Sequence, residues 1–116
     1  MDITRIEPGP RMSEAVIHGG KIYLSGMVAD STVGQSVANQ TADILAQIDA
    51  VLKQAGSDKT KLLKVNIWLT DITTIAEMNR VWDAWVVPGK TPARATVEAK
   101  LADAGWAIEI MVEAAV

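Results

Sequence analysis

Between residues 37 and 69 the hydrophobic period changes once, from that of a helix to that of a strand. In VANQTADILAQIDAVLKQAG, Ala38, Thr41, Leu45, Ile48 and Leu52 fall on one stripe, widened by Ile44 and Val51. Spacings of three and four residues mark an amphipathic helix. Ser36 is placed to cap its start and Gly56 to stop it. KLLKVNIWLTD then alternates, with Leu63, Val65, Ile67 and Leu69 on one side and Lys64, Asn66, Trp68 and Thr70 on the other. That is the period of a strand with one buried face. An apolar stripe and an apolar strand face this close in the chain are best buried against each other, so a helix packed on a sheet is expected.

The flanking segments extend this unit. AVIHGGKIYLSG, residues 15–26, reads as a hairpin turning at Gly19-Gly20. TIAE, residues 74–77, has the form of a capping box between Thr74 and Glu77. A second helix should follow with Ile75, Met78, Trp82 and Trp85 inward, ending before Pro88-Gly89. ARATVEAKL and WAIEIMVEAAV read as two closing strands around a loop at Asp103 to Gly105. All 116 residues therefore make one α+β domain, a mixed sheet with two helices on one face. The other face would carry Tyr23, Ser25, Lys64, Asn66, Trp68, Arg94, Thr96, Glu98, Glu109, Met111 and Glu113. So mixed a surface suits a pocket or a face covered by another subunit.

Composition removes several function classes. The net charge is −3, with no basic block to meet a phosphate backbone, so no nucleic-acid partner is expected. No cysteine is present, and the lone His18 can build neither a metal centre nor a catalytic triad, so no metal is expected. No apolar run has membrane-spanning length and MDITRIEPGPR is no signal peptide, which points to a cytoplasmic protein.

Arg94, in PARATVE, can offer a carboxylate a planar fork that lysine cannot imitate, or it can be a solvated charge on an amphipathic strand. Glu109 and Glu113 lie on the polar side of the last strand. With the turn near residue 103 or 104, a hairpin sets Arg94 opposite Glu113 and Glu98 near Glu109. Glu113 is then the salt-bridge partner and Glu109 the carboxylate left to hold or deprotonate a water. Ser25 has no visible base to activate it, Gly26 reads as a bulge or turn, and Asn79 as a cap or solvated amide.

YLSG after a hairpin, ILAQIDAVLKQAGSDKTKLLKVNIWLTD, MNRVWDAWV, PARATVEAKL and IEIMVEAAV occur in that order. The ordered set resembles the RidA/YjgF family of reactive intermediate/imine deaminases, and VIHGGKIYLSG with WDAWVVPG resembles its YoaB-like branch. The resemblance implies a chorismate-mutase-like fold assembled as a homotrimer, with sites in clefts between adjacent subunits. It also implies hydrolysis of enamines and imines such as 2-aminoacrylate to 2-keto acids and ammonia, without cofactor or metal. By the same resemblance Arg94 matches the carboxylate-binding arginine and Glu109 the glutamate that positions water. Ser25, Gly26 and Asn79 match cleft positions, and Thr96 stands where many members have cysteine. Met12 takes the place of a pocket aromatic, and Met27 that of glutamine in the usual SGQ. Both would make the cleft more apolar, which keeps open a non-catalytic trimer that binds small carboxylates or keto acids. A protein-binding platform would not need Arg94. The family's links with RNA cleavage sit badly with the acidic balance and single histidine.

Overall fold

Gly19 and Gly20 adopt φ of 61° and 79°, the left-handed pair that a two-residue hairpin turn requires. In the computed structural model, which describes residues 2–116, they join β2 (Ser13–His18) to β3 (Lys21–Leu24). A further strand, β1 (Thr4–Pro8), pairs antiparallel with β2. Only Ile6 of it is buried, so its sequence has no apolar row to betray it.

Helix α1 (Val37–Gln54) has the ends its sequence predicts. Ser36 Oγ accepts from the Asn39 amide, and Gly56 takes φ 77° just past the last turn. Ile44, Leu45, Ile48, Val51 and Leu52 are buried, whereas Ala38 is only half-buried and Val37 and Gln40 share the inner face. Gln40 can be inside because its amide is fully used. Nε2 donates to Gln35 O and Gly105 O, both at 3.0 Å, and Oε1 accepts from Ala107 N at 2.9 Å.

Strand β4 (Leu62–Leu69) buries Val65, Ile67 and Leu69. Its start departs from strict alternation, because the register shifts between Leu62 and Lys64. Leu62 takes the inner place there, and Leu63, expected inside, is 43% exposed. Helix α2 (Ile75–Trp85) buries Met78 and Trp82 and half-buries Ile75 and Trp85. The capping box does not form. Thr74 donates to Asp71 O, and Glu77 Oε2 instead accepts from Ala38 N, capping the start of α1 from α2.

The last two strands, β5 (Ala93–Glu98) and β6 (Ile108–Ala115), are not a hairpin. The sheet order is β1-β2-β3-β6-β4-β5, with β5 parallel to β4 and every other pairing antiparallel. Burial explains the outcome: every second residue of β6 is buried and the rest are half-buried, which fits a central strand. β5 is exposed along nearly its whole length and takes the edge. Helix α2 is the crossover that parallel β4 and β5 require. The register Val65↔Arg94, Ile67↔Thr96, Leu69↔Glu98 puts Arg94, Thr96 and Glu98 on the helix side, not on the open face where the sequence pattern had set them. No helix among the described residues is long and apolar enough to cross a membrane.

Gln40→Ala would leave Gln35 O and the Ala107 amide without their partner and take one of the two donors of Gly105 O, which keeps the Gly34 amide. A loss of about 3 kcal/mol in urea unfolding is expected.

Candidate functional site

Arg94 stands near the start of the edge strand, two residues after Pro92, with its guanidinium turned onto α2. Nη1 donates to Asn79 Oδ1 at 2.9 Å, and Cζ lies 5.3 Å from the centroid of the Trp82 ring. Among the described residues it meets no carboxylate, so the pairing with Glu113 expected from a hairpin is replaced. Glu113 faces Tyr23 and Lys64 across the neighbouring strands and binds Lys21 Nζ at 3.1 Å. Thr96, two residues beyond Arg94 on the same side, keeps a buried hydroxyl oxygen with no hydrogen-bond partner. Glu98 is already engaged, accepting from the Ile72 amide.

Glu109 is on the other face, opposite Trp68 of β4. Burial pushes its pKa up, because the ionised carboxylate has been partly withdrawn from water. Gly26 makes its place possible: a Cβ there would come within 2.9 Å of Glu109 Cδ and closer still to Oε2. Gly26 thus serves the carboxylate rather than a turn, and its φ is not among the positive ones. Ser25 lies half-buried beside it, its amide held by Glu14 O at 2.9 Å. Met12 is 58% exposed in the β1–β2 loop, two residues before Glu14. Met27 does not border this face. It pairs with Ile110 and is buried in the core, so the expectation that it makes a cleft apolar is corrected.

The structure therefore makes two half-sites. Arg94, Asn79 and Thr96 lie on the helix side at the sheet edge, and Glu109, Gly26 and Ser25 lie on the open face. Two surface depressions include neither Arg94 nor Glu109: one of about 410 Å³ at Thr70, Lys100, Asp103 and Trp106, and one of about 310 Å³ between the helices at Leu45, Asp49, Lys59 and Trp85. No cluster of three or more His, Asp or Glu side chains able to hold a metal occurs among the described residues.

The family profile described as Endoribonuclease L-PSP matches residues 3–116. The RutC family protein YoaB of Escherichia coli is 43% identical over 116 residues, all of both chains. The chain belongs to the RidA/YjgF family. Its full-length likeness to YoaB places it in the YoaB-like branch. A crystal structure of a YjgF family member from Neisseria meningitidis superposes with a TM-score of 0.95 at 52% identity, covering 99% of this chain and 95% of that one. The chorismate-mutase-like α+β architecture of the family is thus the fold of this protein. A more distant relative, the rat protein named 2-iminobutanoate/2-iminopropanoate deaminase, is 32% identical over 103 residues, 84% of this chain and 74% of that one.

Trp82, which the helical stripe marks only as a core residue, is a site neighbour that sequence alone does not single out. Its spacing of three from Asn79 and from Trp85 was the available signal, since those positions share one helix face.

Glu109 carries a folded-state pKa above its unfolded value, so the fold disfavours the charged form. The cost is absent below the unfolded pKa and grows as pH rises past it. Glu109→Gln should accordingly be at least as stable as wild type at pH 7 in urea unfolding, with the difference shrinking by pH 4. Gly26→Ala should leave circular dichroism unchanged while displacing the Glu109 carboxylate.

Proposed function

We infer that the protein hydrolyses 2-imino acids of the 2-aminoacrylate type to 2-keto acids and ammonia, acting as a cytoplasmic homotrimer without cofactor or metal. One observation carries the reading. Among the described residues, a guanidinium that meets no carboxylate and a partly desolvated glutamate that meets no cation lie on opposite faces of one sheet. One chain cannot bring both to the same small molecule, whereas adjoining copies can, with Arg94 from one and Glu109 from the next. The open face supplies apolar area for such an assembly, with Tyr23 40% and Val97 50% exposed beside half-buried Trp68 and Met111. The printed name of the rat relative supports the reaction.

The chemistry asks little of the protein. A protonated imine is already electrophilic at carbon, so no nucleophilic side chain is required. Arg94 grips the substrate carboxylate with the edge of its fork that Asn79 does not use, and so fixes the imine carbon. Glu109, ionised, takes a proton from water as the oxygen bonds to that carbon. The resulting aminoalcohol receives the proton on nitrogen, the C–N bond breaks with its electron pair leaving on ammonia, and the hydroxyl proton passes by way of Glu109 to that ammonia as the carbonyl forms. One water is consumed, and a keto acid and ammonium result. Ser25 and Asn79 border the substrate, with Thr96 near the carboxylate. Met12 lies at the rim and selects for small apolar side chains.

A second reading, a trimer that binds small carboxylates without turning them over, draws on Met12, an apolar side chain where a hydrogen-bonding aromatic would help orient a substrate.

The deciding measurement is keto-acid release from freshly generated 2-iminopropionate and 2-iminobutyrate. Arg94→Ala should abolish saturable turnover with the trimer intact, and full retained activity would exclude the assignment. Wild-type rate should rise with pH through the displaced Glu109 titration, and Glu109→Gln should lose that limb. Inactive Arg94→Ala and Glu109→Gln chains, refolded together in equal amounts, should regain roughly a quarter of wild-type activity, because that share of clefts receives both intact groups. No recovery would mean that the site lies within one chain.

A further inference from the structure

Arg94 is exposed on an edge strand, where an arginine side chain ordinarily samples many rotamers. Here a row of groups on one face of α2 constrains it. Asn79, Trp82 and Trp85 follow one another at intervals of three residues along that helix. Asn79 takes a guanidinium N–H at 2.9 Å, and the Trp82 ring lies under the same group at 5.3 Å. Trp82, only 5% exposed, is in turn braced by Trp85, whose ring centroid is 5.5 Å away at an interplanar angle of 49°. Trp85 is fixed at its far end, where Nε1 donates to Asp49 Oδ2 of α1 at 3.0 Å and the Lys59 ammonium sits 5.4 Å from its ring.

We propose that Trp82, braced by Trp85 and Asp49, is a positioning residue that holds the Arg94 guanidinium ready for a carboxylate. Contact with the ring, together with the Asn79 hydrogen bond, restricts how the guanidinium can turn while leaving its other N–H groups open to a carboxylate. A carboxylate then binds without first ordering the arginine, so the gain appears in substrate affinity. Asp49, on a different helix and touching neither Arg94 nor substrate, contributes through Trp85. The role rests on the reading of Arg94 as carboxylate anchor.

Two measurements keep the two ideas separate. The first is kinetic, on 2-iminobutyrate, with binding of the product-like 2-oxobutanoate by calorimetry. Trp82→Leu should raise KM and weaken 2-oxobutanoate binding by about 3- to 30-fold with kcat within about twofold, the range from an exposed to a desolvated cation–aromatic contact. Trp82→Phe, which keeps a ring, should recover most of the loss, and Asp49→Ala should show a smaller rise in KM of the same kind. The second is the nitrogen-15 NMR signature of the Arg94 guanidinium, assigned by its disappearance in Arg94→Lys. Restricted rotation should be present in wild type and Trp82→Phe and lost in Trp82→Leu. Unchanged rotation in Trp82→Leu overturns the proposal whatever the kinetics show. A lower Tm with KM and kcat both unaltered does so too, because Trp82 is then core filling alone. If instead Arg94→Ala retains full turnover and binding, the anchor reading is what fails, and the NMR result still decides whether Trp82 orders the arginine.

Discussion

Both helices cover the same face of the sheet, and most of the molecule follows from that one-sided burial. The inward rows of β4 and β6, Val65, Ile67 and Leu69 with Ile108, Ile110 and Val112, are buried beneath α1 and α2. Such rows are the main source of stability in a chain of this size, at roughly 2 kcal/mol for each large aliphatic side chain. The opposite rows are left half-buried or exposed. Tyr23, Trp68, Met111 and Val97 share that face with charged neighbours, and Glu109 sits among them, dry enough for its titration to move upward. A second layer of helices would have removed this surface, and with it the proposed place for a water and an imine.

The helical layer was the most legible part of the sequence. The α1 stripe, Ser36 and Gly56 each signal locally, through spacing, a side-chain oxygen and an allowed left-handed φ. Sequence and structure part where a partner distant in sequence decides. Glu77 has the spacing to close a box with Thr74, yet it caps α1, because the two helices pack side by side and its carboxylate reaches a free amide there. Alternation puts Leu63 inward, but a bulge that only the pairing with β6 reveals turns it out. Adjacency in sequence suggests a β5–β6 hairpin. The chain between Glu98 and Ile108 is long enough to pass over β4, so the better-alternating strand could take the middle.

Arg94 and Glu109 were both visible as polar residues of unusual type on apolar-patterned strands, but their surroundings were not. Pairing of β5 with β4 at the sheet edge, in place of β6, sets the face that Arg94 serves and gives it Asn79 and Trp82 as neighbours instead of Glu113. Gly26 looked like a turn glycine, since sequence cannot show that a carboxylate occupies the space where its Cβ would be. Met27 looked like a lining residue because it follows Gly26, but alternation turns it inward to Ile110. In each case the residue type was informative and the sheet partner was not.

The sixth strand in chain order occupies the middle of the sheet. Until Ile108–Ala115 has been made, β3 and β4 each present an edge with no neighbour, and the apolar row of β6 is missing beneath α1. The hairpin β2–β3 and helix α1 can form from local contacts, but the two halves of the sheet can join only through β6. Loss of Ile108–Ala115 would therefore leave two unpaired edges in mid-sheet rather than a slightly shortened domain.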